Sequence, residues 1–154
     1  MVVGRRSRPR LNAVSERNVE LHRSFNAALS ARDVEGAIAL CDRQIEFHSL
    51  FAAVGGGEYG GHNGLRRYFA EVDDAWGEEL QIEAEAYFDL GDHTLAFMVG
   101  HGRGRQSGAE VDMPFAQVVR WRDGLVVYYK AYAQRENALR DLGVSETELE
   151  TIAP

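Results

Sequence analysis

The stretch LQIEAEAYFDLGDHTLAFMVGHGRGRQSGAEVDMPFAQVVRWRDGLVVYYKAYA, residues 80–133, decides the fold class of this 154-residue chain. Apolar and polar residues alternate along it, and the pairs Gly91-Asp92, Ser107-Gly108 and Asp123-Gly124 divide it into four segments. A period of two is typical of β-strands with one buried face, and Asp-Gly is a strong hairpin signal. The stretch therefore predicts an antiparallel meander of long strands.

Helical patterns lie on both sides of this meander. Ser15 can cap a first helix with apolar residues at helical spacing, and Asp33 can cap a shorter second helix. The apolar stripe of residues 65–76 predicts a third helix, and residues 134–142 predict a last one. A first strand is predicted over residues 45–53. We expect an α+β fold in which a cone-shaped, strongly curved antiparallel sheet wraps around the N-terminal helices and leaves an apolar cavity.

Charge and composition divide the chain further. Hydrophobic residues make up 45% and charged residues 27%, which is typical of a soluble globular protein. Four arginines lie within the first ten residues, although the whole chain has a net charge of -7. We predict a basic flexible arm over residues 1–13, one domain over residues 14–143 and an acidic C-terminal tail over residues 144–154.

The same data exclude several classes of partner. A net charge of -7 repels phosphate backbones, so no nucleic acid is expected. No apolar run approaches the roughly 18 residues that span a bilayer, so no membrane is expected either. The single cysteine, Cys41, fits a reducing, cytoplasmic setting. The histidines show no metal-ligand spacing and no glycine motif has the order of a nucleotide cradle, so we predict no metal and no cofactor.

Strand alternation predicts the side chains that face the cavity. On the strand before Asp123-Gly124, Gln117 is the sole polar member of the inward set, and it either braces the fold or addresses a ligand. On the preceding strand His101 and Arg103 share a face with apolar residues and are predicted to point inward. The predicted ligand-binding residues are Phe25, Phe47, Ser49, Phe97, Val99, Arg103, Phe115 and Tyr129.

Two of these side chains are candidates for chemistry. His101 is the predicted general acid or base, and the amide of Gln117 is predicted to polarise an oxygen atom of the ligand. Each has a structural alternative, since a lone histidine is more often a satisfied structural residue. Arg103 can likewise form a plain ion pair with Glu110 across the hairpin.

The last strand carries an unusually apolar outward face. Val126, Tyr128, Lys130 and Tyr132 alternate with the inward set there. Such a face favours a homodimer through the outer side of the sheet, with Tyr128 and Tyr132 buried in the interface.

The order of motifs resembles the SnoaL-like branch of the nuclear transport factor two-like superfamily, which includes ketosteroid isomerases and polyketide cyclases. The resemblance covers about residues 15–143. The matching segments are Asp33-Val34-Glu35, Glu46-Phe47-His48, Tyr59-Gly60-Gly61-His62, Gly64-Leu65-Arg66-Arg67-Tyr68-Phe69, Leu90-Gly91-Asp92, Val119-Arg120-Trp121 and Asp123-Gly124.

The resemblance implies a small-molecule cavity but no single activity, because this fold hosts many chemistries. It places Phe25, Ser49 and Gln117 at the positions of the isomerase tyrosine, base and second acid, and none of the three matches. Phe25 cannot donate a hydrogen bond and Ser49 is not a useful base unaided, so the isomerase chemistry does not transfer. Two functions stay open. One is an isomerase, cyclase or hydrolase that acts on a small apolar carbonyl or ring compound by acid-base chemistry. The other is a noncatalytic dimeric module that binds a ligand or a partner.

Overall fold

A computed structural model describes residues 9–51, 57–104 and 106–154. In these ranges the chain forms an α+β domain, as predicted. Its helices are α1 (Pro9–Ala31), α2 (Val34–Ala39), α3 (Gly61–Trp76) and α4 (Arg135–Leu142), with 3-10 turns at Gly77–Glu79 and Glu146–Glu148. Its strands are β1 (Cys41–His48), β2 (Glu58–Gly60), β3 (Gln81–Asp89), β4 (His93–Arg103), β5 (Glu110–Arg122) and β6 (Leu125–Tyr132).

The six strands form one sheet in the order β2-β1-β6-β5-β4-β3. The predicted meander from β3 to β6 is confirmed, with antiparallel pairing at each step. β1 instead runs parallel to β6, which the meander pattern did not predict. Register shifts occur within three of the strand pairs, and irregularities of this kind bend and twist a sheet into a curved surface.

Local sequence explains most of the helix boundaries. Asp33 caps α2, because its side chain accepts a hydrogen bond from the Gly36 amide at 3.0 Å. α4 ends at Gly143, which adopts a left-handed conformation with φ of 70°. α1 begins at Pro9 rather than at the predicted cap Ser15, and proline is well suited to the first position of a helix. The predicted arm of residues 1–13 falls in α1 from Pro9 onward, and residues 1–8 lie outside the described residues.

The concave side of the sheet packs against α1 and α3. Phe25 and Leu29 from α1 meet Leu65 and Phe69 from α3 and the inner face of the strands, and all four side chains are buried. This main core defines the interior of the cone. The apolar stripe predicted over residues 65–76 therefore faces inward, as its helical spacing indicates.

The convex side of the sheet carries a second core. Phe88, Leu95, Phe97 and Val118 are buried there beneath α4 and the turn that follows it. Tyr132 belongs to this second core and is only 9% exposed, with its hydroxyl donating to Asp141 on α4 at 2.8 Å. The C-terminal helix thus covers Tyr132, one of the two tyrosines predicted for a dimer interface. Val126, predicted for the same outward face, lies in the main core instead, which corrects that prediction.

The C-terminal segment folds back onto the free edge of the sheet. Ile152 and Tyr87 exchange two backbone hydrogen bonds of 2.8 and 2.9 Å, and Arg23 on α1 donates to the Ala153 carbonyl at 2.8 Å. Ser145 precedes the 3-10 turn of this segment, and its side chain makes no capping hydrogen bond to it. The predicted acidic tail therefore includes an ordered edge contact.

None of the helices in the described ranges is both long and apolar enough to cross a membrane.

Candidate functional site

A chain of polar side chains crosses the interior between α1 and the sheet. His22 lies at its centre and is fully buried. Its Nδ1 is 2.8 Å from Thr94 Oγ1, and its Nε2 is 2.9 Å from Gln117 Oε1. Thr94 Oγ1 also accepts from the Trp121 indole at 2.8 Å, and Gln117 Nε2 donates to the Tyr129 hydroxyl at 2.9 Å. Each buried polar group thus has a partner, as burial requires.

The hydrogen bonds of this polar chain run from donor to acceptor in one direction, towards Tyr129. Gln117 Oε1 can only accept, so His22 Nε2 carries the ring hydrogen and Nδ1 accepts from the Thr94 hydroxyl. Gln117 then uses its amide hydrogen on Tyr129, whose own hydroxyl hydrogen has no acceptor among the described residues. The Tyr129 hydroxyl, at the end of the polar chain, therefore has a hydrogen that it can donate to another molecule.

Burial also fixes the charge of these groups. Desolvation lowers the pKa of His22 to about 4, against a smaller opposing effect of its hydrogen bond to Gln117, so the ring is neutral at pH 7. Desolvation raises the pKa of Tyr129, and the nearby Tyr68 hydroxyl raises it further. The buried polar side chains in the described ranges, apart from tyrosines, are Asn18, His22, Asn26, Thr94 and Gln117, none of them a carboxylate.

Aromatic rings pack against the ring of Tyr129. The ring of Tyr129 stacks on Phe47 with centroids 4.3 Å apart and planes 9° apart, and Phe25 meets it edge to face at 5.8 Å. Tyr68 lies against the same Phe47 ring at 4.6 Å. Flat, apolar surroundings with a few placed polar atoms are typical of small-molecule sites.

One end of the interior is closed by Phe51 and Trp76, which we call the aromatic plug. The Trp76 indole donates to the Phe51 carbonyl at 2.9 Å. Both rings lie directly on glycines of β4: a Cβ at Gly100 would come within 3.0 Å of Phe51, and one at Gly102 within 3.2 Å of Trp76. Trp76 is only partly buried, so this end of the interior borders the surface.

The structure places five predicted ligand-binding or catalytic side chains in the interior. They are Phe25, Phe47, Phe115, Gln117 and Tyr129, and all are buried in the main core or bonded to its polar chain. Ser49 follows β1 and is half-buried, with its hydroxyl accepting from the Phe51 amide at 3.1 Å. What these side chains do for a ligand stays a prediction.

The predicted orientation of β4 is wrong. Phe97 lies in the second core on the convex side, and Val99, His101 and Arg103 share that face by alternation. The concave face of β4 carries Thr94, Ala96, Met98, Gly100 and Gly102 instead. Both faces of this strand are covered by other parts of the chain, so the larger apolar side chains do not mark the inner face.

His101 consequently lies at the surface, where its side chain is 44% exposed. Its Nδ1 pairs with Asp112, and its Nε2 is 3.4 Å from a Glu83 carboxylate oxygen. The hydrogen bond to Asp112 raises the pKa of His101. Arg103 forms the predicted alternative ion pair with Glu110. A surface depression of about 530 Å³ is lined by His101, Arg103, Glu110 and Asp112 among others, and its lining includes no residue of the interior polar chain.

Sequence reasoning missed the importance of His22 and Asn26. Asn18, His22 and Asn26 recur every four residues on α1, beside the apolar residues Phe25 and Leu29. That spacing places the three polar side chains on the buried side of the helix, and each is at least 94% buried. Polar residues at core-facing helical positions were the available signal for a buried polar network.

Within the described ranges, no group of three or more histidine, cysteine or acidic side chains could hold a metal ion.

Comparison with known proteins identifies the family. The model of the SnoaL-like domain matches residues 22–129, and the chain belongs to this family. The matched region includes every residue of the interior polar chain. No curated protein matches the chain in sequence.

Solved structures share the fold at low sequence identity. An NTF2-like protein of unknown function from Burkholderia pseudomallei superposes with a TM-score of 0.68 at 17% identity, over 80% of this chain and 95% of its own. TerC, co-crystallised with polyporic acid, gives 0.67 at 20% identity, over 82% and 97%. RV0760c from Mycobacterium tuberculosis, in complex with estradiol-17beta-hemisuccinate, gives 0.62 at 18% identity, over 75% and 92%. These likenesses establish the NTF2-like fold, and two of these proteins were solved with small molecules.

Proposed function

We propose that this SnoaL-like protein binds a small, largely apolar ring compound on the concave face of the sheet, and that the Tyr129 hydroxyl donates a hydrogen bond to an oxygen atom of that compound. The observation that carries the proposal is the directional polar chain that ends at Tyr129. A fully hydrogen-bonded chain in an aromatic interior keeps one donor oriented, which lowers the entropic cost of binding.

Gln117 has a positioning role in this proposal. Its amide donates to the oxygen of Tyr129, so the hydroxyl hydrogen of Tyr129 is directed away from Gln117. Phe25 and Phe47 hold the tyrosine ring from two sides and would supply apolar contact area to a bound ring. Ser49 and Phe115 border the same interior near the aromatic plug.

We favour binding without turnover over acid-base catalysis. A proton-transfer reaction needs a group that can take up a proton within reach of the ligand. Both ring nitrogens of His22 are engaged in hydrogen bonds, and its low pKa makes it a poor base. The predicted base His101 lies on the opposite face of the sheet. A bound ligand recovered chemically unchanged would agree with this view.

The first experiment is native mass spectrometry of the purified protein, under gentle and then denaturing conditions, to detect a small molecule that travels with it. The second is isothermal titration with α-tetralone, a ring ketone, and with tetralin, which lacks the oxygen. We expect the ketone to bind more tightly. Tyr129→Phe should reduce the ketone affinity about tenfold and leave tetralin unchanged, since one buried hydrogen bond is lost.

Tyr128→Phe is the matched control, because it removes a hydroxyl from the adjacent residue, which packs beside His48 on the outer side of the sheet. Its ketone affinity should equal that of the wild type. The proposal is wrong if neither compound binds to the wild-type protein, or if Tyr129→Phe binds the ketone as tightly as the wild type does. Consumption of the ketone would support the catalytic alternative.

We also propose self-association through the outer face of β1 and β6, near Tyr128. Tyr132 is excluded from that interface because α4 covers it. Sedimentation equilibrium of the wild type and of Tyr128→Arg would test this interface, since a charge buried there should shift the protein to monomer. A cytoplasmic location remains a proposal based on the single cysteine.

A further inference from the structure

Asn26 carries a buried polar atom that the protein itself does not satisfy. The residue is 6% exposed and lies one helical turn after His22. One end of its amide lies 3.0 Å from the Tyr87 hydroxyl and 3.6 Å from Met98 Sδ. A thioether sulfur can only accept, so this end is the NH₂ group. The other end, Oδ1, has no hydrogen-bond partner among the described residues.

Tyr87 supplies the complementary group. Its hydroxyl oxygen accepts from Asn26, and its own hydrogen has no acceptor in the part of the chain that the structure describes. Burial raises the pKa of Tyr87, which keeps the hydroxyl protonated at neutral pH. An acceptor on Asn26 and a donor on Tyr87 therefore lie side by side in the interior.

The two groups lie close to residues that carry the proposed function. Met98, which Asn26 contacts, and Gly100, on which Phe51 lies, are successive residues on the concave face of β4. Tyr87 pairs with Ala96, and Ala96 with Gln117, so a small side chain separates the Tyr87 hydroxyl region from the polar chain. His22 connects the two sides, with its ring 5.1 Å from that of Tyr87.

We infer that Asn26 and Tyr87 form a specificity subsite for a hydroxyl group of the bound ring compound. A hydroxyl donates one hydrogen bond, here to Asn26 Oδ1, and accepts another, here from Tyr87. Native structures rarely leave a buried amide oxygen without a partner, which gives this atom a strong preference for a ligand donor. The inference rests on the proposed function and narrows it to ring compounds with a phenolic or alcoholic hydroxyl.

The test compares two probes that differ only in the donor. 2-Naphthol has a hydroxyl, whereas 2-methoxynaphthalene keeps the oxygen as an acceptor but cannot donate. Titration of the wild-type protein should show a preference for the naphthol of about tenfold, the value of one hydrogen bond to an otherwise unsatisfied buried acceptor.

Two variants separate the acceptor from the donor. Asn26→Leu, which is close to isosteric, should bind both probes with the weaker affinity of the ether. Tyr87→Phe should weaken the binding of both probes by a similar factor, since the oxygen of each accepts from Tyr87. The variant should keep the preference for 2-naphthol. Asn18→Leu is the matched control: Asn18 is equally buried on the same helix, but its amide donates to the Gly91 carbonyl at 3.2 Å. It should keep the wild-type preference.

The outcomes are distinguishable. Binding of neither probe to the wild type would contradict the proposed function itself. Binding of both probes with equal affinity would overturn the subsite and leave the proposed function standing. An Asn26→Leu variant that keeps the tenfold preference, or a Tyr87→Phe variant that binds both probes as the wild type does, would also overturn it. If Asn26→Leu does not fold, the Tyr87→Phe result alone decides.

Discussion

Replacing His22 with glutamine should remove a pH dependence of stability that a single buried ring produces. In the folded protein the pKa of His22 is lowered from 6.5 to about 4 by desolvation. Between these values the unfolded chain binds a proton that the folded chain excludes, so the free energy of unfolding falls as the pH drops from 6.5 towards 4. The full effect is about 3 kcal/mol, and about 2 kcal/mol of it is reached by pH 5.

The substitution also has a cost that does not depend on pH. Glutamine can still donate to Gln117 Oε1, but it cannot reach Thr94 at the same time, and one buried hydrogen bond is worth about 1 kcal/mol. At pH 7 the variant should therefore be less stable than the wild type by about that amount. Near pH 5 the order should reverse, because only the wild type must exclude a proton there.

Urea denaturation followed by tryptophan fluorescence measures both proteins at each pH. The informative quantity is the difference between their free energies of unfolding, since every carboxylate titrates in both proteins and cancels. His101→Gln is the control: His101 is exposed, and the wild-type fall in stability between pH 7 and pH 5 should persist in that variant. If the free energies of unfolding of the wild type and of His22→Gln differ by the same amount at pH 7 and at pH 5, the conclusion that His22 is buried and neutral is refuted.

Two further predictions concern the face of β4 and the aromatic plug. His101 lies on the convex side of the sheet, so His101→Asn should leave the affinity for α-tetralone and 2-naphthol within twofold of the wild type in the same titrations. A loss of affinity of tenfold or more would show that His101 belongs to the ligand site. In Gly100→Ala the added methyl would lie 3.0 Å from Phe51 and push that ring outward. The substitution should lower the free energy of unfolding by about 1 kcal/mol. It should also speed association of the probes, which stopped-flow fluorescence measures. Gly60→Ala, where a Cβ meets nothing within 4 Å, is its control, and equal rates for the two variants would show that displacing Phe51 does not ease ligand entry.

Sequence patterns predicted the order of the elements better than their faces. The helical stripe of α3, the cap at Asp33 and the turn at Asp123-Gly124 depend on neighbours along the chain, and local physics was enough to find them. The pairing of β1 with β6 joins residues about 80 positions apart, and no local pattern encodes such a contact.

The inward faces of β3 and β4 could not be predicted from alternation, for a specific reason. Large apolar residues such as Leu95 and Phe97 were predicted to face the interior, but a second core beneath α4 buries them on the other side. A register shift between Ala84 and Ala86 reverses the alternation on β3, so that Ile82 and Tyr87 both pack with the main core although they are an odd number of residues apart. Alternation shows that two faces differ, but it does not show which of them a later helix will cover.

The candidate site was predicted in part. Gln117 and Tyr129 were identified because alternation on β5 and β6 placed them among apolar neighbours. His22 received no role from the sequence because it shows no metal-ligand spacing. Its partners Thr94 and Gln117 lie 72 and 95 residues further along the chain. Networks of this kind become visible only when the strands are placed side by side.

The second core makes the folding of one protomer independent of a partner protomer. Members of a dimer that bury an open sheet face against each other lose that face on dissociation, and their stability then depends on protein concentration by mass action. Here α4 and Leu149 pack on the convex face from within the same chain, and Ile152 pairs with the edge strand. Monomers released by dilution should therefore stay folded, and self-association near Tyr128 would add a concentration-dependent increment of stability to a fold that is already complete.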